Sequence, residues 1–291
     1  MSVFELHNSV LHIKVNSFGA ELCSVISKDL AIEYIWQADQ TIWGRHAPHL
    51  FPIVGKLKNN TFLYQTNSHQ LSQHGFARDH EFICIEERED FLLFEFTANE
   101  WTLEKYPFHF SLQIGYKLVD QKLEISYSVF NPDSKELYFS IGAHPAFNCP
   151  LISGETFDDY ELCFPNKEEL ILNVLKDGLI TKDTKSLKLV HHTLPVSKQL
   201  FNNDALVCMN SQLSEVILKS SKTNHGVSLV SRDWPYYGIW SKKDTEQFVC
   251  LEPWYGIADY EDTDGKLENK IGIIKVDSEQ YFISSFEISF F

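Results

Sequence analysis

SLQIGYKLVDQKLEISYSVFN, residues 111–131, decides the fold class. Leu112, Ile114, Tyr116 and Leu118 recur at every second position. After a turn at 119–122, Leu123, Ile125, Tyr127 and Val129 repeat the spacing. Polar residues fill most of the gaps. Successive side chains of a strand point to opposite faces, so each run buries one face and wets the other, and the pair reads as an antiparallel hairpin.

The same period extends outward in both directions. EFICIEEREDFLLFEFTA (81–98) reads as a second hairpin. IGIIKV (271–276), a polar turn at 277–280 and YFISSFEISFF (281–291) read as a closing one. Helical spacing is scarce. FPNKEELILNVLKDGLI (164–180) offers at most a turn or two of helix, and its polar ends equally suit a loop. No linker-like tract, low-complexity segment or fixed-period repeat divides the chain. Many short strands with few helices indicate an all-β, large antiparallel sandwich, with residues 1–291 forming a single domain.

Composition supports a packed core and narrows the partners. Apolar residues make up 44% of the 291 positions and aromatics 14%, led by 22 Phe. No run reaches the roughly 18 apolar residues of a membrane span. The opening MSVFELHNSVLHIKV lacks a basic segment followed by an apolar block, so it reads as strand rather than signal peptide and points to a cytoplasmic protein. With 25 basic against 40 acidic residues the net charge is −15, which disfavours nucleic acid and acidic membranes as partners. Cys23, Cys84, Cys149, Cys163, Cys208 and Cys250 form no C-x-x-C pair and read as free thiols.

Three short segments have the composition of a polar site. QHGFARD (73–79) carries His74 and Arg78 beside a glycine. GAHPAFN (142–148) sets His144 between small residues and a proline at a strand end. CLEPWYGIAD (250–259) places Glu252 after an apolar strand, before Pro253 and Trp254. A carboxylate there is costly to bury without partners or a function. Each segment also has a structural reading: a turn, a packed histidine, half of an ion pair.

Taken in order with FGAELCSV, EYIWQADQTIWGRHAPHLFPIVGKLKNN, YPFHF and FNNDAL, these segments resemble the aldose 1-epimerase (galactose mutarotase) superfamily, in its LacX-like branch, nearly end to end. The resemblance implies the family's supersandwich fold and the interconversion of the α and β anomers of an aldose. It implies Glu252 as general base, His144 as general acid, His74 as a sugar-binding histidine, and Asp204 as the carboxylate that holds sugar hydroxyls. Lys56 stands where the family usually has arginine, keeping the charge but losing the planar fork.

A base that takes the anomeric proton and an acid that protonates the ring oxygen suffice to open a hemiacetal. Neither a metal nor an organic cofactor is required, and the partner is a small sugar bound by a monomer or homodimer. Trp43, Trp240 and Trp254 are placed to stack on a pyranose. Arg45, Lys56, Lys58, Arg78 and Arg232 leave a sugar phosphate open as an alternative to a neutral aldohexose. A carbohydrate-binding protein without turnover and a cupin-type metal site remain the other readings. The latter lacks the usual H-x-H pair. His191 and His192 have no partner motif and receive no role.

Overall fold

A computed structural model describes residues 2–291. Two large sheets carry the fold. The first has nine strands, in the order Thr193–Pro195, Tyr160–Cys163, Glu215–Ser220, Gly226–Val230, Tyr281–Phe290, Lys122–Phe130, Ser111–Val119, Phe91–Thr97 and Ile83–Glu87. The 111–131 stretch lies inside it as the expected hairpin. Leu112 faces Val129 and Leu118 faces Leu123 across the ladder, and the apolar positions of both runs are buried. The 81–98 hairpin also forms, with a register shift between Cys84 and Glu86.

The second sheet runs Leu179–Lys188, Glu169–Lys176, Leu206–Cys208, Tyr236–Trp240, Phe248–Tyr255, Ile141–Ala143 and His49–Leu50, and Ala146–Asn148 pairs with the far half of Phe248–Tyr255. A smaller sheet of Val3–His7, Leu11–Asn16 and Glu21–Ser27 covers the N-terminal side. One contiguous apolar cluster draws on all three, including Leu22, Phe51, Tyr116, Tyr127, Ile239 and Leu251. Among the described residues one α-helix forms, Glu100–Lys105, capped by the Asn99 side chain, and no helix is long and apolar enough to cross a membrane.

Two local expectations are corrected. Residues 164–168 form a turn, as their polar end allowed, but no helix follows: Glu169–Lys176 and Leu179–Lys188 form a hairpin on Asp177-Gly178. Both turn residues have positive φ, 54° and 79°, as a tight two-residue hairpin turn requires. Leu170 and Leu172 are buried while Glu169 and Ile171 are exposed, so the strand period is present. The C-terminal hairpin does not form either. The turn at 277–280 exists, but Ile274–Val276 pairs with Leu137–Phe139, and Tyr281–Phe290 lies between Lys122–Phe130 and Gly226–Val230. Asn131 diverts the chain: its backbone binds Glu279 and Gln280, and its amide donates to the Val276 carbonyl at 2.9 Å.

His49 shows how this core treats a polar ring. It pairs with Ala143 across the ladder and is 2% exposed. Its Nδ1 meets the Tyr127 hydroxyl at 2.7 Å and its Nε2 the Tyr116 hydroxyl at 2.7 Å.

Candidate active site

Register brings the two central groups together. On the strand Phe248–Tyr255, Trp254 lies opposite Gly142 and Cys250 opposite Ala146. Both ladders keep one register, which sets His144 across from Glu252. Pro145 and Pro253 interrupt the pairing between them, since neither can donate a backbone hydrogen bond. The His144 Nε2 and a Glu252 carboxylate oxygen are 3.2 Å apart, at exposures of only 7% and 1%.

The pair lies in a cavity of about 360 Å³, near the small end of the roughly 300–1,000 Å³ usual for ligand pockets. His144 is boxed by rings. Trp43 stacks on it with centroids 5.1 Å apart, and the Trp240 and His74 rings meet it edge-on at 5.7 Å each. Trp254 continues the cavity wall by lying across two strands that lack side chains beneath it. A Cβ on Gly238 would fall 2.3 Å from the indole, and one on Gly142 2.6 Å from it. Glycine is required at both places for that close approach.

His74 is held by backbone. Its N–H donates to the Gly55 carbonyl at 2.9 Å, and its Nδ1 accepts the Gly55 N–H at 3.2 Å. That acceptor role puts the proton of the neutral ring on Nε2, so the Gln73 amide 3.2 Å away must present its oxygen. Residue 74 adopts φ 67°, a conformation uncommon outside glycine that turns the ring toward the cavity. Asp204, also at positive φ, lines the exposed rim and accepts the Ala205 N–H at 2.8 Å.

The surroundings drive the central pair toward its uncharged form. Burial raises the Glu252 carboxyl well above 4.5, and the nearby Asp204 adds to the rise. The indole N–H of Trp254 opposes it without reaching hydrogen-bonding geometry. Burial also lowers His144 to about 3, helped by Arg78, and lowers His74 well below 6.5. Both shifts favour a pair that shares one proton over a carboxylate–imidazolium pair. His144 Nδ1 and Trp254 Nε1 have no hydrogen-bond partner. Buried polar atoms are usually satisfied, so these two are free for a ligand.

Of the residues expected from sequence, His74, Arg78, His144, Asp204, Glu252 and Trp254 all line this one cavity, together with Trp43, Trp240 and Arg45. Lys56 does not. Its Nζ donates to the Asp177 carbonyl at 2.9 Å, bracing the tip of the 169–188 hairpin, whose Leu175, Gly178 and Ile180 form a cavity wall. Lys58 is likewise spent on the Glu261 carbonyl, at 2.6 Å, and Arg232 faces a separate surface depression. At the mouth Arg45 binds Asp79 at 2.9 Å. Arg78 donates to the Gln73 carbonyl at 2.7 Å, while its Nε makes no hydrogen bond and lies 3.9 Å from Asp79. His192 meets the Lys167 carbonyl, and all six cysteines are free thiols.

The two-sheet supersandwich is the fold of the galactose mutarotase-like proteins. The structure superposes with a TM-score of 0.96 on a galactose mutarotase related enzyme from Lactobacillus acidophilus, at 34% identity over 100% of this chain and 97% of that one. A galactose mutarotase-like protein from Lactobacillus casei gives 0.93 at 30% identity, with both chains fully covered. The chain belongs to the aldose 1-epimerase family, whose sequence model, described as aldose 1-epimerase, matches residues 2–269. It is 32% identical over 281 residues to the chromosomal LacX protein of Lactococcus lactis subsp. lactis, covering 94% of each chain.

Proposed function

We propose that this chain is a cytoplasmic aldose 1-epimerase that interconverts the α and β anomers of an aldohexose by ring opening and re-closure. It would act as one domain on a free small sugar, as a monomer or homodimer, without nucleic acid, membrane, metal or organic cofactor. The observation that carries the reading is the His144–Glu252 pair, 3.2 Å apart in a monosaccharide-sized cavity.

Mutarotation removes one proton and returns one, and a pair sharing a single proton matches that demand. Transfer of the carboxyl proton to Nε2 gives a carboxylate and an imidazolium. The carboxylate takes the proton of the anomeric hydroxyl while the imidazolium protonates the ring oxygen. The bond from C1 to the ring oxygen breaks as the C1 carbonyl forms, and the pair is again neutral. The aldehyde turns about the C1–C2 bond. On closure the C5 hydroxyl gives its proton to His144, and the Glu252 carboxyl gives its own to the carbonyl oxygen. Asp204 and, once a hydroxyl takes the place of the Gln73 amide, His74 Nε2–H are the groups that hold sugar hydroxyls, and Trp254 takes the apolar face of the ring.

A neutral hexose needs only these hydrogen bonds, and the net charge of −15 repels an anion at long range. One observation favours a second substrate: Arg45 and Arg78 both line the mouth, with one Asp79 between them and one Arg78 nitrogen without a hydrogen bond. Polarimetry on galactose, glucose and their 6-phosphates, at low and high salt, separates the two. Higher kcat/KM for the free sugars is expected. A preference for a 6-phosphate that salt and Arg78→Ala both weaken would replace the neutral substrate with the phosphorylated one. Tight sugar binding without turnover would reduce the protein to a carbohydrate-binding module.

A further inference from the structure

Cys250 lies two residues before Glu252 on one strand, so both side chains leave the same face of the sheet. It sits behind the proton-sharing pair, fully buried and packed with Trp36, Ala146 and Phe248, and it is a free thiol. His144 nitrogen, Cys250 Sγ and a Glu252 carboxylate oxygen all lie within 4.8 Å of one another. Nothing in the anomerisation chemistry uses the thiol.

These three donors form a set that a borderline-soft cation prefers. Zinc takes thiolate sulfur at about 2.3 Å, imidazole nitrogen and carboxylate oxygen at about 2.0–2.2 Å, in tetrahedral geometry. Those bond lengths put neighbouring ligand atoms about 3.3–3.7 Å apart. The histidine–carboxylate separation of 3.2 Å already matches, and the sulfur has to move in by about 1 Å at most. Charge also balances: one divalent cation against a thiolate and a carboxylate leaves no net charge in a buried place. His144 and Glu252 both line the cavity, which is the way in.

The site is not built to retain an ion. His144 Nδ1 has no hydrogen-bond partner, whereas the histidines of resident metals nearly always give that nitrogen to a carboxylate, carbonyl or water. We propose that His144, Cys250 and Glu252 form an inhibitory site for a thiophilic divalent cation, which silences the enzyme by occupying both proton-transfer groups. Cys250 is the residue that turns an acid–base pair into a chelate.

The inhibition arm of the test rests on the mutarotase reading; the binding arm does not. For binding, Co2+ is titrated into the metal-free full chain and followed by absorption. A thiolate-to-cobalt charge-transfer band is expected in the wild type, lost in Cys250→Ser and Cys250→Ala, and displaced by Zn2+. The half-buried Cys84 and Cys163 remain in both variants, so they serve as internal controls. For inhibition, Zn2+ slows anomerisation of the wild type and EDTA restores it. Each variant is compared with its own metal-free rate. The zinc concentration giving half inhibition should rise at least about tenfold in Cys250→Ala, because losing a direct ligand costs more than losing an outer partner. Absence of the cobalt–thiolate band, its persistence in both variants, or unchanged zinc sensitivity in Cys250→Ala overturns the site. A rate that falls on chelation and returns with added metal also overturns it, because the ion would then be an activator. If no sugar turns over but the Cys250-dependent band appears, the metal site stands and the mutarotase reading falls.

Discussion

His49 and His144 are near neighbours across one ladder, on strands where His49 pairs with Ala143, yet they point to opposite faces of the sheet. Both are buried and both are held neutral, His49 lowered to about 4 and His144 to about 3, burial being the main cause for each. The difference lies in what the ring nitrogens meet. His49 has a tyrosine hydroxyl on each nitrogen at 2.7 Å, so every polar atom is satisfied and the ring is cross-bracing between the sheets. His144 meets a carboxylate on one nitrogen and nothing on the other. Burial alone therefore does not single out a candidate catalytic histidine. An incomplete set of partners beside a cavity does.

The largest effect that can break this contrast is on rate. Glu252→Gln keeps the shape but cannot take a full proton, and His144→Asn removes the other half of the relay. Each should cut anomer interconversion by about 10²- to 10⁴-fold with the circular dichroism spectrum unchanged. His49→Ala should do the reverse. It strands the Tyr127 hydroxyl, costing about 1–3 kcal/mol in urea denaturation for that group alone, while the folded fraction turns over normally. Near-normal polarimetric rates for Glu252→Gln would remove the base assignment, and a His49→Ala protein of full stability but no activity would erase the distinction.

A smaller effect sharpens it through pH. On the proposed function the working pair carries one proton. It gains a second only below about 3, where His144 titrates, and loses the last above the ordinary carboxylate range, because the Glu252 pKa is raised. The acid limb of the kcat/KM profile, set by His144, should therefore lie near 3 rather than near 6.5, where an ordinary histidine would put it. Activity that rises with pH through a limb centred near 6.5 in a stopped-flow profile would show that His144 is not buried as described.

The smallest effects are on stability, and their signs oppose. Glu252 binds its proton more tightly folded than unfolded, so its contribution falls as pH rises above about 4.5. His49 binds its proton less tightly folded, so its contribution falls as pH drops from about 6.5 toward 4. Urea denaturation at pH 4, 5.5 and 7 should show Glu252→Gln gaining on the wild type toward neutral pH. A gain that shrank between pH 4 and pH 7 would contradict the raised carboxyl.

Sequence alone carried the sheet content and much of the site, for identifiable reasons. Period-two burial at 111–131 is a local signal, and the structure keeps it almost residue for residue. Partner choice is not local, which is why a sound turn at 277–280 did not yield a hairpin: Asn131, far away in sequence, captures it. At 164–180 the polar residues of an exposed face masked the strand, and the Asp-Gly turn was the overlooked cue. Glu252 was legible because a carboxylate among apolar residues needs a reason. Asp204 was legible only through family resemblance. Lys56 misled because a charge on a four-carbon stem does not say where the stem lies. Gln73, Gly142 and Gly238 gave no signal, since their roles depend on the rings placed against them.

The hairpin braced by Lys56 has a consequence for how such an enzyme diversifies. Leu179–Lys188 is the outermost strand of its sheet and Glu169–Lys176 the next one in, whereas Glu252 sits on the interior strand Phe248–Tyr255 and His144 in the break between Ile141–Ala143 and Ala146–Asn148. On the proposed function, one wall of the sugar pocket can thus vary apart from the proton-transfer pair, while His74, Asp204 and Trp254 keep their places. Insertions at Asp177-Gly178 would reshape the far wall while the proton relay kept its geometry. On the proposed function, grafting this edge hairpin from a relative is expected to move sugar preference while anomerisation is retained.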